Sequence, residues 1–227
     1  MIFKDQHHKS LLPKFVFIAT MSATIFVCGY LMFADTDRFS WLDSYEINGD
    51  FVRRIILISC FVIYLIRLFV TTFVFLKRKM VWAEAITISV LMSLALYGFA
   101  KTGGSNQQPI GLIELVGILL YIIGSYLNTN SEYVRHIWKK NPDNKGRLYT
   151  GGLFRYSMHV NYFGDTVLFT GLALITHSLI MLIIPFLMTA NFVLFIIPTL
   201  DKYLAEKYGS DFQEYAKRTK KLIPWVY

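Results

Sequence analysis

Charge is scarce in this chain. Asp, Glu, Lys and Arg supply only 17% of its 227 residues, against about 25% in soluble domains. Cysteine is scarcer still. Cys28 and Cys60 both fall inside apolar runs, where they read as small apolar filler, and a bridge would require their helices to touch. There is no zinc-ligand spacing, no Walker loop and no soluble-type dinucleotide fingerprint. Internal repeats and low-complexity segments are missing as well. The formal charge of +8 gives no case for nucleic acid, because the lysines and arginines lie between apolar runs and form no tract of their own. No clean small-x-small site closes the first apolar run, which argues against a cleaved leader.

What the chain has in quantity is apolar length. Its composition is 55% hydrophobic and 16% aromatic. Crossing a bilayer takes about 20 residues, and four runs meet that need: 15–34, 55–76, 81–100 and 111–128. A fifth run, 162–199, is too long for one crossing, and Thr176, His177 and Ser178 break it near its middle. The expectation is an all-α polytopic membrane bundle of about six transmembrane helices. It forms one membrane domain over 1–227, with N-terminal helices in 1–110 and a C-terminal half in 111–227.

Charge asymmetry orients that bundle. The N-terminus, the Lys77–Lys79 triplet, the 132–155 loop and the C-terminal tail hold 18 of the 23 basic residues. The alternate loops hold Arg38, Arg53, Arg54 and Lys101, with five acids at Asp35, Asp37, Asp43, Glu46 and Asp50. Basic excess marks the cytoplasmic side, so both termini and the 132–155 loop are expected there. For a bacterial protein the membrane would be the plasma membrane. A transporter would more often show a pair of spans broken by glycine or proline, and none stands out, although Pro185 is placed to kink one span.

Polar groups at membrane depth carry the functional information, because burying them without partners is costly. Arg67 is the deepest, 10 residues before Lys77 in "FVIYLIRLFVTTF". It would pair with an acid on a neighbouring span, such as Glu84 or Glu114, or touch a bound ligand. Tyr64 is one turn earlier on about the same face. A second cluster lies at the cytoplasmic rim, where Asn128 and Glu132 share a helix face and lead to Lys139. The turn "NPDNKGR" then sets Lys145 and Arg147 beside Gly151 and Gly152. Arg155, Tyr156, His159, Asn161 and Asp165 follow within "GLFRYSMHVNYFGD". In the tail, Leu204, Tyr208, Phe212 and Tyr215 make a stripe at helical spacing, read as one helix on the cytoplasmic face. Trp225 and Tyr227 suit the headgroup zone. Cations for phosphate, amides and carboxylates for a base or ribose, and stacking aromatics thus collect at one rim, the layout of a membrane enzyme with a phosphate-bearing cofactor.

"KGRLYTGGLFRYSMHVNYFGD", followed after two spans by "EKYGSDFQEYAKRTKKLIPWVY", resembles the C-terminal half of the steroid 5-alpha-reductase family, and most of all its bacterial branch. The resemblance covers about residues 120 to 227 and extends weakly to "IYLIRLFVTTFVFLKRK". It implies NADPH-dependent reduction of a carbon–carbon double bond conjugated to a carbonyl in a lipid-like substrate. By position it assigns the cofactor to Asn128, Glu132, Lys139, Arg147, Asn161, Asp165 and Tyr208, and turns Tyr64 toward the substrate or nicotinamide. Arg155 would add a phosphate donor and Arg67 would steady charge developing on the substrate. His159 would shuttle a proton, bind phosphate or cap the helix.

Several positions depart from the family pattern. Glu132 and Asp165 exchange the family's other carboxylate, and Lys139 stands for an arginine, keeping charge without the bidentate fork. Met158 and Val160 replace arginine and proline of the bacterial branch. Nothing matches the early glutamate with leucine–proline–serine that faces the steroid carbonyl in the steroid enzymes, and Glu46 is at most a remnant of it. That speaks against a steroid as the substrate. Similar stretches with an arginine–tyrosine and a histidine occur in membrane methyltransferases, where S-adenosylmethionine would be the cofactor and His159 its ligand. A non-enzymatic membrane protein with a degenerate site is the third alternative.

Overall fold

The computed structural model describes residues 10–34 and 47–227; Asp35, Asp37, Arg38, Asp43 and Glu46 lie outside these. Every named element among the described residues is helical: α1 (Leu11–Phe33), α2 (Phe51–Val70, continued by a π-turn over Thr71–Phe75), α3 (Trp82–Gly104), α4 (Leu112–Lys140), α5 (Val160–Ile175), α6 (Ile183–Asn191), α7 (Ile197–Tyr208) and α8 (Ser210–Arg218). Five continuous helical stretches are long and apolar enough to cross a membrane: Leu11–Phe33, Phe51–Phe75, Trp82–Gly104, Leu112–Lys140 and Leu179–Tyr208. Phe26, Ile66, Leu94 and Leu115 are exposed along them, a surface that water would penalise and lipid covers. This is a multi-pass membrane protein. The sixth apolar helix, α5, has 16 residues, about 24 Å at 1.5 Å per residue, shorter than the hydrocarbon layer.

The chain divides into two compact units. One contains the described residues up to Leu119 together with Thr170–Ile184; the other contains Leu120–Phe169 and Pro185–Tyr227.

In the first unit α1, α2 and α3 pack around Phe17, Met21, Met80 and Ala85. Asp50 caps α2 by accepting from the Arg53 amide at 2.8 Å, satisfying one of the orphan donors at a helix start. Lys14 donates to the Leu76 carbonyl at 2.7 Å where the π-turn ends. Arg53, read from sequence as a loop charge, is fully buried in the first turn of α2. Its guanidinium meets Glu114 at 2.9 Å and donates to the Ile175 and Gln108 carbonyls at 2.7 and 2.8 Å. Glu114 also faces His177 Nδ1 at 2.6 Å and accepts from the Gly111 amide at 2.8 Å. The pair is buried because both charges are neutralised within a shell of polar backbone. Cys28 and Cys60 are buried and not joined by a disulfide.

In the second unit α4 and α5 touch backbone to backbone. A Cβ on Gly164 would come within 2.6 Å of the Asn128 amide nitrogen, and one on Gly124 within 2.5 Å of the Gly164 carbonyl. Side chains at those positions would force the helices apart. The tail differs from the single helix expected from its stripe: Gly209, at φ +53, ends α7 and starts α8, a left-handed conformation that glycine adopts without strain. The stripe residues still meet, because Leu204, Tyr208, Phe212 and Tyr215 cluster with Met158.

Candidate functional site

The polar centre of the second unit is a hydrogen-bond chain from α4 to the start of α5. Asn128 Nδ2 donates to the Asn161 carbonyl at 3.1 Å, and Asn161 Nδ2 donates to Glu132 Oε1 at 3.0 Å. Arg135 closes on the other oxygen of Glu132. Asn128 and Glu132 are one helical turn apart, so both face the neighbouring helix, and both are buried. The close α4–α5 contact at Gly164 brings Asn161, one turn earlier on α5, within reach of both. Ser131 adds a donor to the Asn128 carbonyl at 2.8 Å.

A clasp between residues 154–159 and the tail holds the rim in place. Met158 and His159 donate their amides to the Lys220 and Lys221 carbonyls at 2.8 and 3.0 Å. The Ser157 hydroxyl donates to the Leu222 carbonyl at 2.7 Å, and the Tyr215 hydroxyl to the Phe154 carbonyl at 2.6 Å. Burial pushes the Tyr215 phenol well above its ordinary range, so it stays a donor at any physiological pH. His159 is 2% exposed. Its Nε2 lies 2.8 Å from Asp201 on α7, and its ring stacks on Tyr162, which stacks in turn on Phe192.

The sequence-derived candidates separate into three places. Asn128, Glu132 and Asn161 form the buried hydrogen-bond chain, with Asp165 one turn further along α5. Lys139 in the last turn of α4, Arg147 after the Pro142–Asn144 turn, and Arg155 are exposed on the surface of this unit. Tyr208 packs at the edge of the Met158 cluster. Tyr64 and Arg67 belong to the other unit, where the Arg67 guanidinium stands 6.0 Å over the Tyr64 ring and the Tyr64 hydroxyl donates to the Met92 sulfur at 3.5 Å. Of the two acids considered as partners for Arg67, Glu84 is held by Arg78, and Glu114 by Arg53 and His177. Met158 and Val160 are both core residues, 6% and 2% exposed, which explains why apolar side chains stand there.

Sequence reasoning missed two groups. Asp201 holds His159 from 42 positions away, a separation at which sequence spacing carries no signal. Arg218 and Thr219 were passed over inside a basic tail, although they line an open cleft of about 340 Å³ with Thr150 and Arg155.

A family model described as "Protein of unknown function (DUF1295)" matches residues 65–219, well over half of the chain. The chain belongs to that family. Among curated proteins it is 38% identical over 110 residues to "Probable O-methyltransferase ustE" of Ustilaginoidea virens, a match covering 48% of this chain and 38% of that one. It is 32% identical over 112 residues to 3-oxo-5-alpha-steroid 4-dehydrogenase 1 of Rattus norvegicus, covering 49% and 41%. With 3-oxo-5-alpha-steroid 4-dehydrogenase 2 of Homo sapiens it shares 31% over 112 residues, covering 49% and 42%. Further mammalian dehydrogenases of the same two names match as well, which bears out the resemblance to the steroid 5-alpha-reductase family read from the motifs. The matches span about two fifths of the length of these relatives.

Proposed function

We propose that this chain is a membrane oxidoreductase that uses NADPH to reduce a carbon–carbon double bond conjugated to a carbonyl in a lipid-like substrate. The observation that carries the reading is the Asn128–Asn161–Glu132 chain. Residues up to 33 positions apart meet through side-chain hydrogen bonds, and they are the residues that the reductase motifs assign to the cofactor.

The donor set fits a phosphorylated dinucleotide. Amide and carboxylate groups at the α4–α5 contact offer both donors and acceptors to a base or ribose. Lys139 and Arg147 stand exposed at the surface of this unit, where their charges can neutralise phosphate. Bound there, NADPH would supply a hydride. Asn128, Asn161 and Glu132 would hold and orient its polar part, with Asp165 and Tyr208 as the further contacts that the motifs assign. Tyr64 is the proposed hydrogen-bond donor to the substrate carbonyl oxygen, where negative charge develops, and Arg67 over its ring stabilises that charge. The excess of basic residues in these loops supports a cytoplasmic position for this polar site, with α5 counted as the sixth crossing.

A second reading is favoured by one observation, the 38% identity to a probable O-methyltransferase. In it S-adenosylmethionine takes the cofactor's place and His159 touches it. The commitment of His159 Nε2 to Asp201 at 2.8 Å weighs for the reductase.

Thermal unfolding in detergent separates the two. Saturating NADPH, at about 100 times its dissociation constant, should stabilise the protein by about 2.7 kcal/mol, with NADH clearly less effective and S-adenosylmethionine without effect. Stabilisation by S-adenosylmethionine alone would reverse the assignment.

A further inference from the structure

Two arginines face one cleft in the second unit with no acid between them. Arg155, at the end of the short helix Gly152–Arg155, and Arg218, at the end of α8, line the cavity of about 340 Å³ together with the hydroxyl-bearing Thr150 and Thr219. Among the described residues neither arginine forms an ion pair. Glu214, one turn before Arg218 on α8, does not reach it. Like charges gathered in one cleft repel unless an anion is supplied, and paired guanidinium forks with hydroxyl donors match the geometry of a phosphate. The walls are rigid, because the clasp bonds from Ser157, Met158 and His159 to residues 220–222 fix one side of the cleft against the other.

The surroundings indicate where the phosphate comes from. Tyr156, next to Arg155, lies 5.7 Å from the Trp225 ring, and Ile223, Trp225 and Val226 are exposed beside it. The segment entering this apolar tip carries Lys217, Lys220 and Lys221, all exposed. Exposed apolar and aromatic groups next to lysines and arginines are what a headgroup layer stabilises: aromatic rings at its depth, cations against its acidic lipids. A dissolved anion would leave the tip in water.

We infer that the Arg155–Arg218 cleft binds the phosphodiester of an anionic membrane phospholipid while the Tyr156–Trp225 tip enters the headgroup layer. The inference is independent of the reaction proposed above.

The test uses the full-length protein in neutral detergent, titrated with phosphatidylglycerol or phosphatidylcholine and read by native mass spectrometry. The wild type should prefer phosphatidylglycerol, and the preference should fall roughly fivefold for each arginine removed in Arg155→Gln, Arg218→Gln and the double variant. The charge-keeping Arg155→Lys/Arg218→Lys protein should keep most of it, which separates loss of charge from loss of fold. Arg218→Gln alone, at a position outside the cofactor assignments, should retain whatever stabilisation NADPH gives the wild type. Equal affinity of the wild type for the two lipids would overturn the inference. So would an unchanged preference in the double glutamine variant. An Arg218→Gln protein that keeps its lipid preference but loses the NADPH response would reassign the cleft to the cofactor.

Discussion

Asn161 spans α4 and α5: its backbone carbonyl accepts from Asn128 and its side-chain amide donates to Glu132 at 3.0 Å. One residue at the start of α5 therefore ties down two polar side chains on α4. The tie exists only because the helices approach to backbone contact at Gly164.

That dependence makes Gly164 the first position to change. Gly164→Ala would put its Cβ 2.6 Å from the Asn128 nitrogen and 3.0 Å from the Asn128 Cβ, and α4 would have to move. We expect a stability loss of about 1–3 kcal/mol and weaker NADPH stabilisation, measured in one thermal-unfolding series. Gly29→Ala, where the added Cβ meets only the Ile58 side chain at 3.4 Å, should alter neither by much.

His159 and Asp201 are expected to behave as a structural pair. His159→Ala and Asp201→Ala should each lower the melting temperature, and the double variant should lose less than the sum, a coupling of about 0.5–3 kcal/mol. If His159 were instead a cofactor ligand, its replacement would abolish ligand stabilisation with the melting temperature of the free protein unchanged.

The buried Arg53–Glu114 pair makes an opposite pair of predictions for one and two substitutions. Glu114→Gln should cost about 3–5 kcal/mol, since it leaves the Arg53 charge buried without its partner. Arg53→Met/Glu114→Leu should cost much less, because no charge is left behind. Reversible unfolding in mixed detergent would measure both. A double variant as unstable as the single one would show that the backbone bonds from Arg53 to Ile175 and Gln108 matter more than the ion pair.

Sidedness is checked by labelling in intact cells. In a protein with Cys28 and Cys60 changed to serine, a cysteine at Asn144 should resist membrane-impermeant reagents applied from outside, and one at Gln107 should react. Labelling of both from outside would end the cytoplasmic placement of the basic loops.

How far these features could be read from the sequence follows from the range of the interactions. The long apolar helices were visible because spanning a membrane requires an unbroken apolar run. The extension of α4 to Lys140 was visible only in part, as a polar helix face from Asn128 and Glu132 toward Lys139, because the apolar run itself stops at 128. The face shared by Asn128 and Glu132 follows from their spacing of four, but their bonds to Asn161 join positions 29 and 33 apart, and only the family resemblance suggested that grouping. Arg53 looked like a loop charge because its partner Glu114 is 61 positions away. In the tail, helical periodicity identified the residues that meet, although Gly209 divides the helix. A stripe records a shared environment, and a continuous backbone is only one way to produce it.

The central claim is that Asn161 and Arg147 belong to an NADPH site, and ligand-induced stabilisation tests it most directly. The NADPH shift should be large in the wild type and in Thr20→Ala, a change in α1 whose own hydroxyl bonds only within its helix. It should be cut by at least about tenfold in apparent affinity, the equivalent of one unsatisfied buried hydrogen bond, in Asn161→Ala and Arg147→Ala. Equal shifts in all four proteins would contradict the account.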